Sequence, residues 1–280
     1  MRKITKPIIT VRTVFSDCIS NIAVAELKSE LSVCTDILEK AEIDLDNKFK
    51  INQIHLTPQR LIVSGKIGNE IMTKVYDHKM AKKGSPSRVH YDEIISSAPG
   101  GKCPLCSQRI ATTLDHYLPK SKYPLFAVTP INLIPSCSDC NKGKLAQFPT
   151  KSEEETLNPY YDDVETDSWL KVRLLQTNPI GFEYFVQPPA NWTQLLSDRV
   201  EYHFLAFGLN KLYSIHAVEE FQNIRGLLIK LYNNGGGALV TEHLKECYDT
   251  RKSNLLNSWQ TALYEALSID QWFCNGGLLT

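Results

Sequence analysis

Residues 103–144 read CPLCSQRIATTLDHYLPKSKYPLFAVTPINLIPSCSDCNKGK. Two Cys-x-x-Cys pairs, Cys103/Cys106 and Cys137/Cys140, bracket the stretch, and Asp115-His116, Asn132 and Asn141 lie inside or directly after the bracket. Each pair supplies two thiolates from one tight turn, and two pairs complete the tetrahedral set that a structural Zn²⁺ prefers. No secretory signal is expected before them: the basic N-terminus MRKITKPIITVRTVF has an apolar run broken by Arg12 and no small-residue cleavage site, and is expected to form ordinary surface or an edge strand. Clustered cysteines in such a chain point to metal rather than disulfides. Cys18, Cys34, Cys247 and Cys274 have no ligand spacing, and Cys34 falls on an apolar stripe.

The segment between the pairs is longer than a minimal zinc ribbon needs, which leaves room for a hairpin with a site of its own. Ile110–Leu114 is expected to be a strand, with Asp115 and His116 at its end. Hydrolysis of a phosphodiester requires a base for water, a cation against developing charge and help for the leaving oxygen. His116 suits the first role, because an unperturbed imidazole titrates near 6.5. Asp115 offers a hard carboxylate oxygen and Asn141 an amide oxygen, the donors that Mg²⁺ or Mn²⁺ takes. Asn141 is expected at the start of a helix opened by the second pair, beside backbone N–H groups that favour phosphate. Asn132 is expected to bond backbone or the imidazole and so hold the loop that orients His116. Each residue also has a plainer structural use, and an Asp-His pair alone is weak; joint placement inside a four-cysteine frame makes the pattern specific.

Net charge is zero and therefore neutral on nucleic acid, but its distribution is not. Thirteen Lys/Arg face six Asp/Glu between Arg60 and Lys144, whereas residues 151–167 carry seven acidic residues and one lysine. The basic excess falls on and before the central motif, where a polyanion would dock. Lys82, Lys83, Arg88, Lys120, Lys122 and Lys142 are the candidate nucleic-acid contacts, with Tyr91 near them.

On the N-terminal side, Val24, Leu27, Leu31, Cys34 and Leu38 recur at helical spacing, so residues 18–41 are expected to form one amphipathic helix that packs internally or permits oligomerisation. Residues 49–67 read as mixed strand and turn. Beyond the motif, 169–177 and 182–187 read as a hairpin, and helical stretches follow from Thr193, broken at the Asn233-Asn234-Gly235-Gly236-Gly237 run. The expected fold class is α+β, predominantly α, in three parts: a mainly helical region with a basic linker (1–98), a zinc-stapled core (99–150), and a hairpin with a helical C-terminal region (151–280). No apolar run approaches bilayer length, so a cytoplasmic protein without membrane contact is expected.

The pattern Cys-x-x-Cys, Asp115-His116-Tyr117-Leu118-Pro119-Lys120, Asn132-Leu133, Cys137-x-x-Cys140-Asn141-x-x-Lys144 resembles the HNH (ββα-metal) endonuclease superfamily, over about 45 of 280 residues. The resemblance implies His116 as general base, Asp115 and Asn141 as ligands of one catalytic Mg²⁺ or Mn²⁺, Asn132 as the residue positioning His116, and Lys144 as a basic group near phosphate. It implies a DNA endonuclease, with an RNA-cleaving enzyme or a zinc-stabilised binding or scaffold module without catalysis as alternatives. The form DHYLPKSKYP…NLIPSCSDCNKGK looks like HNH proteins of bacterial anti-phage systems, which implies an ATPase or other defence-system subunit as partner.

Overall fold

Thr10 accepts a hydrogen bond from the Thr13 backbone N–H and so caps α1 (Val11–Ser20), whose Val11, Val14, Phe15, Cys18 and Ile19 recur every three to four residues and are all buried. The computed structural model describes residues 1–144 and 148–280, and the side chain of Lys144 lies outside the described part. The helix expected over 18–41 is three helices instead: α1, α2 (Ala25–Val33) and α3 (Thr35–Lys50). Asn21 ends α1, and its side chain and carbonyl both bond Lys79 Nζ. Leu31, Cys34 and Leu38 are fully buried, so the apolar stripe packs into the chain's own core; Val24 is 59% exposed and does not join it. The N-terminus is likewise not an edge strand. Its first residues hydrogen-bond to loops, Arg2 N to Pro104 O and Ile4 N to Pro159 O, before α1 begins.

A short antiparallel pair follows, β1 (Ile62–Ser64) and β2 (Ile67–Gly68), turned at Gly65 with φ +52°, a left-handed conformation that favours glycine. Then come α4 (Asn69–Val75), a π-helical turn over Tyr76–Met80, and α5 (Arg88–Ser96). β3 (Thr113–His116) pairs antiparallel with β4 (Leu133–Ser136), with Asp115 opposite Ile134 and His116 opposite Leu133, and α6 (Ser138–Lys144) follows. The expected strand over 110–114 is therefore displaced. Ile110 makes only an isolated bridge with Lys102, and Asp115 and His116 lie within β3 rather than after it.

Two strands of four residues cannot bury enough surface to stand alone. Leu114 and Leu133 instead join Val14, Phe15, Leu31, Leu38, Met72, Met80 and Ile94 in one hydrophobic core. Residues 1–98 and the hairpin thus share a core, and the chain divides by its contacts into two compact units, Met1–Asp163 and Val164–Thr280, where the sequence suggested three segments.

The second unit is built on the antiparallel hairpin β5 (Leu170–Leu175) and β6 (Gly181–Val186), close to its expected position. α7 (Gln194–Ala206) precedes the long helical run α8 (Leu209–Asn254), in which Gly236 has non-helical dihedrals, φ 67° and ψ −160°. The expected stop over 233–237 is thus a one-residue break with helix on both sides. α9 (Trp259–Ile269) and the short α10 (Gln271–Cys274) close the chain. Asn257, in the turn before α9, accepts from the backbone N–H groups of Trp169 and Leu170 and donates to the carbonyls of Val164 and Asp167. The whole is α+β and mostly helical, and among the described residues no helix is long and apolar enough to cross a membrane.

Candidate metal centre and adjoining cavity

The four bracketing cysteines converge. The Sγ atoms of Cys103, Cys106, Cys137 and Cys140 all lie within 4.8 Å of one another, and all four residues are buried. Local backbone builds each half. Cys103 N–H donates to Arg109 O and Ser107 N–H to Cys103 O, a turn that places Ser107 at φ 56°. Arg109 N–H points at Cys106 Sγ (3.5 Å) and Cys140 N–H at Cys137 Sγ (3.4 Å), so backbone donors face sulfur in both turns. The Arg109–Asp139 ion pair at 2.9 Å ties the first turn to α6. Hydrogen bonds from Cys103, Cys137 and Cys140 push the Cys106 thiol down, whereas Cys103, Cys106 and Cys137 push Cys140 far up. Four buried thiols at this separation cannot all ionise without a cation among them. The donor set and its closeness are those of a metal-binding site, and the remaining cysteines show no such cluster among the described residues.

Beside β3 is a cavity of about 560 Å³ whose lining includes Asp115, His116 and Asn141 with Tyr76, Asp77 and Tyr91. Asp115 is buried and His116 partly so. His116 Nε2 lies 2.8 Å from Ala127 O. A carbonyl only accepts, so Nε2 carries the proton and the basic lone pair of the neutral ring is on Nδ1. The Tyr76 ring packs edge-on against the imidazole, centroids 4.4 Å apart, and fixes its plane. Burial pushes the Tyr76 hydroxyl well above its ordinary range, with Tyr91, Asp77 and Asp115 adding to the shift, so it stays protonated.

Asn141 is the fourth residue of α6, not its first, and its N–H is taken by Cys137 O at 3.0 Å. Its own backbone N–H is therefore engaged in the helix. Its amide nitrogen faces β3, with Thr113 Oγ1 at 3.4 Å and Leu114 O at 3.5 Å, so Oδ1 is the atom left for a cation. Asp115 and Asn141 thus offer the hard oxygens that a small divalent ion takes.

Asn132 is fully buried and bonds backbone, not the imidazole. Its Oδ1 accepts from Leu118 N–H (2.8 Å), and Nδ2 donates to the carbonyls of Leu118 (3.0 Å) and Phe126 (3.1 Å). It clamps the connection 117–132 shut, and Ala127, one residue beyond Phe126, presents the carbonyl that orients His116. The role expected of Asn132 is therefore indirect.

The basic candidates separate. Lys120 and Lys142 line the cavity; Lys82 and Lys83 are exposed on the turn that follows Ala81, itself a wall residue. Arg88 is engaged by Asp92, by the Ala81 carbonyl and by the Tyr91 ring, and Lys122 lies over the Phe148 ring at 4.6 Å. Tyr91 is buried, with its hydroxyl accepting from Leu114 N–H, so it is wall rather than free surface. The Lys144 side chain falls outside the described residues. Tyr76, Asp77 and the Ala127 carbonyl were not foreseen; Tyr76 and Asp77 lie some forty residues before Asp115-His116, and nothing local in the sequence marks them.

No family model matches the chain, and no solved structure matches it. It is similar to protein ea31 of Escherichia phage lambda, 27% identical over 242 residues, a match that covers 81% of this chain and 81% of that protein.

Proposed function

We propose that the chain is a metal-dependent endonuclease of the HNH (ββα-metal) type that hydrolyses phosphodiester bonds in DNA, with a structural Zn²⁺ held by Cys103, Cys106, Cys137 and Cys140. The observation that carries the reading is one cavity bounded by Asp115 and His116 of β3 and Asn141 of α6, with His116 Nε2 held on a carbonyl. That bond supports Nδ1 as the atom that takes a proton from water, and the bound ring is pre-oriented for it. Asp115 and Asn141 would hold a Mg²⁺ or Mn²⁺, which supplies Lewis-acid stabilisation of charge on the phosphate. Asn132 keeps the His116 connection rigid, and Lys120 and Lys142 attract the polyanion. The zinc holds α6 against the hairpin, so the chemistry and the staple are separate metal sites.

The likeness to a phage lambda protein supports a setting in phage–host biology, and an anti-phage role with an ATPase or other defence-system partner belongs to the same proposal. Incubation of supercoiled plasmid with the protein and Mg²⁺ or Mn²⁺, beside His116→Ala and a chelator control, tests it. We expect nicked or linear product from the wild type only, with unchanged zinc content in His116→Ala. Equal cleavage by both proteins would refute the assignment of His116, and metal-supported cleavage of RNA in place of DNA would change the substrate.

A further inference from the structure

Lys120 follows His116 by four residues and its ammonium group has two partners, both on the π-helical turn across the cavity. Its Nζ pairs with Asp77 Oδ1 and lies 4.4 Å from the centroid of the Tyr76 ring, the same ring that packs against His116. All four residues line the cavity. Asp77 and Lys120 are partly exposed, with 43% and 26% of their side chains accessible, so the pair can exchange partners without unfolding anything. Arg88 differs: it does not line the cavity, and a carboxylate, a carbonyl and a ring hold it in place.

We propose that Lys120 is the cavity's phosphate-gripping side chain and that Asp77 is its resident counter-ion, displaced when a nucleic-acid phosphate enters. The proposal rests on the nucleic-acid reading above and adds how the site is controlled. With Asp77 in place the pair presents no net charge to the cavity, so a small anion gains little there. A polynucleotide, drawn by Lys142 and by the exposed Lys82 and Lys83, carries a phosphate to Lys120 at high local concentration and takes it over. The released Asp77 then gathers a cation from solution, which offsets part of the counter-ion release that drives binding. Tyr76 remains under the ammonium group throughout, so the exchange moves the lysine head a short way while the ring stays against His116.

A mutant cycle on the full chain tests this. Binding of a short fluorescein-labelled DNA would be followed by anisotropy as a function of salt, with Ca²⁺ in place of Mg²⁺, for wild type, Asp77→Asn, Lys120→Gln and the double variant. Asp77→Ser serves as a second replacement, and zinc content reports folding. Removing an exposed partner of this kind should tighten binding about two- to fivefold, and should steepen the slope of log K against log salt by roughly 0.7–0.9. Both effects should vanish in the Lys120→Gln background. Tightening by Asp77→Asn that persists without Lys120 would show a general charge effect and overturn the exchange, as would no tightening at all. No binding by the wild type at low salt would instead sink the nucleic-acid reading on which the proposal stands.

Discussion

Replacing Asn132 with alanine tests how the connection 117–132 is held. The side chain is 0% exposed and serves three backbone groups, Leu118 N–H, Leu118 C=O and Phe126 C=O. Alanine removes all three bonds and leaves those groups in a buried setting. An unsatisfied buried donor or acceptor costs about 1–3 kcal/mol, and water entering the new space recovers part of that, so the expected loss is about 3–6 kcal/mol. Against a typical total of about 5–15 kcal/mol this is large. The assay is urea unfolding. All four tryptophans, Trp169, Trp192, Trp259 and Trp272, belong to the second unit. Tryptophan emission therefore reports on Val164–Thr280, while release of zinc to a chromophoric chelator reports on Met1–Asp163. With a urea slope of about 2 kcal/mol/M, the zinc-release midpoint should fall by roughly 1.5–3 M. Asn132→Asp should lose at least as much, because it sets a carboxylate against two carbonyls. A loss below about 1 kcal/mol for Asn132→Ala would refute the clamp and the indirect orientation of His116 with it.

Cys137→Ser should lower the metal content from about one Zn²⁺ per chain towards zero by elemental analysis and destabilise the first unit severely, since zinc binding of this kind is worth about 10–16 kcal/mol; a fully folded, zinc-free wild type would contradict it. Asn257→Ala should cost about 3–5 kcal/mol, because four backbone groups lose a buried partner, and the change should appear in tryptophan emission. Partial burial pushes the Asp46 carboxyl up, but hydrogen bonds from Lys50, Lys6 and Tyr161 outweigh it and bring the group down to about 2. Its folded value lies below its unfolded value, so its contribution is present above about pH 4 and is lost as pH falls towards 2. Asp46→Asn should accordingly flatten the acid limb of the stability curve between pH 4 and 2, and an unchanged limb would refute that account.

Much of the candidate site was legible because metal chemistry demands fixed residue types at short spacing. Each Cys-x-x-Cys turn makes its two ligands from local backbone, and a helix after the second pair was readable, whereas β4 and the true bounds of β3 were not. The helical character of both flanks and the β5–β6 hairpin were readable for the same reason: periodicity is a local property. Boundaries were less so. The 18–41 stripe has one period throughout, yet the chain breaks at Asn21, which bonds Lys79, and tightens at Cys34, which is buried in the shared core, so tertiary contacts override a uniform local pattern there.

By itself, the sequence determined the four-cysteine cluster, the presence of a strand next to Asp115 and His116 though not its bounds, and a helix opened by the second cysteine pair, all of which depend on neighbours within a few residues. Only the tertiary structure decided that residues 1–98 are not a separate part, that Asn132 clamps backbone while Ala127 turns the imidazole, and that Tyr76 and Asp77 stand across the cavity from Lys120. The physical reason is that a two-stranded hairpin cannot bury its own face. It must borrow a core from helices distant in sequence, and whichever side chains those helices bring along become the walls of the site.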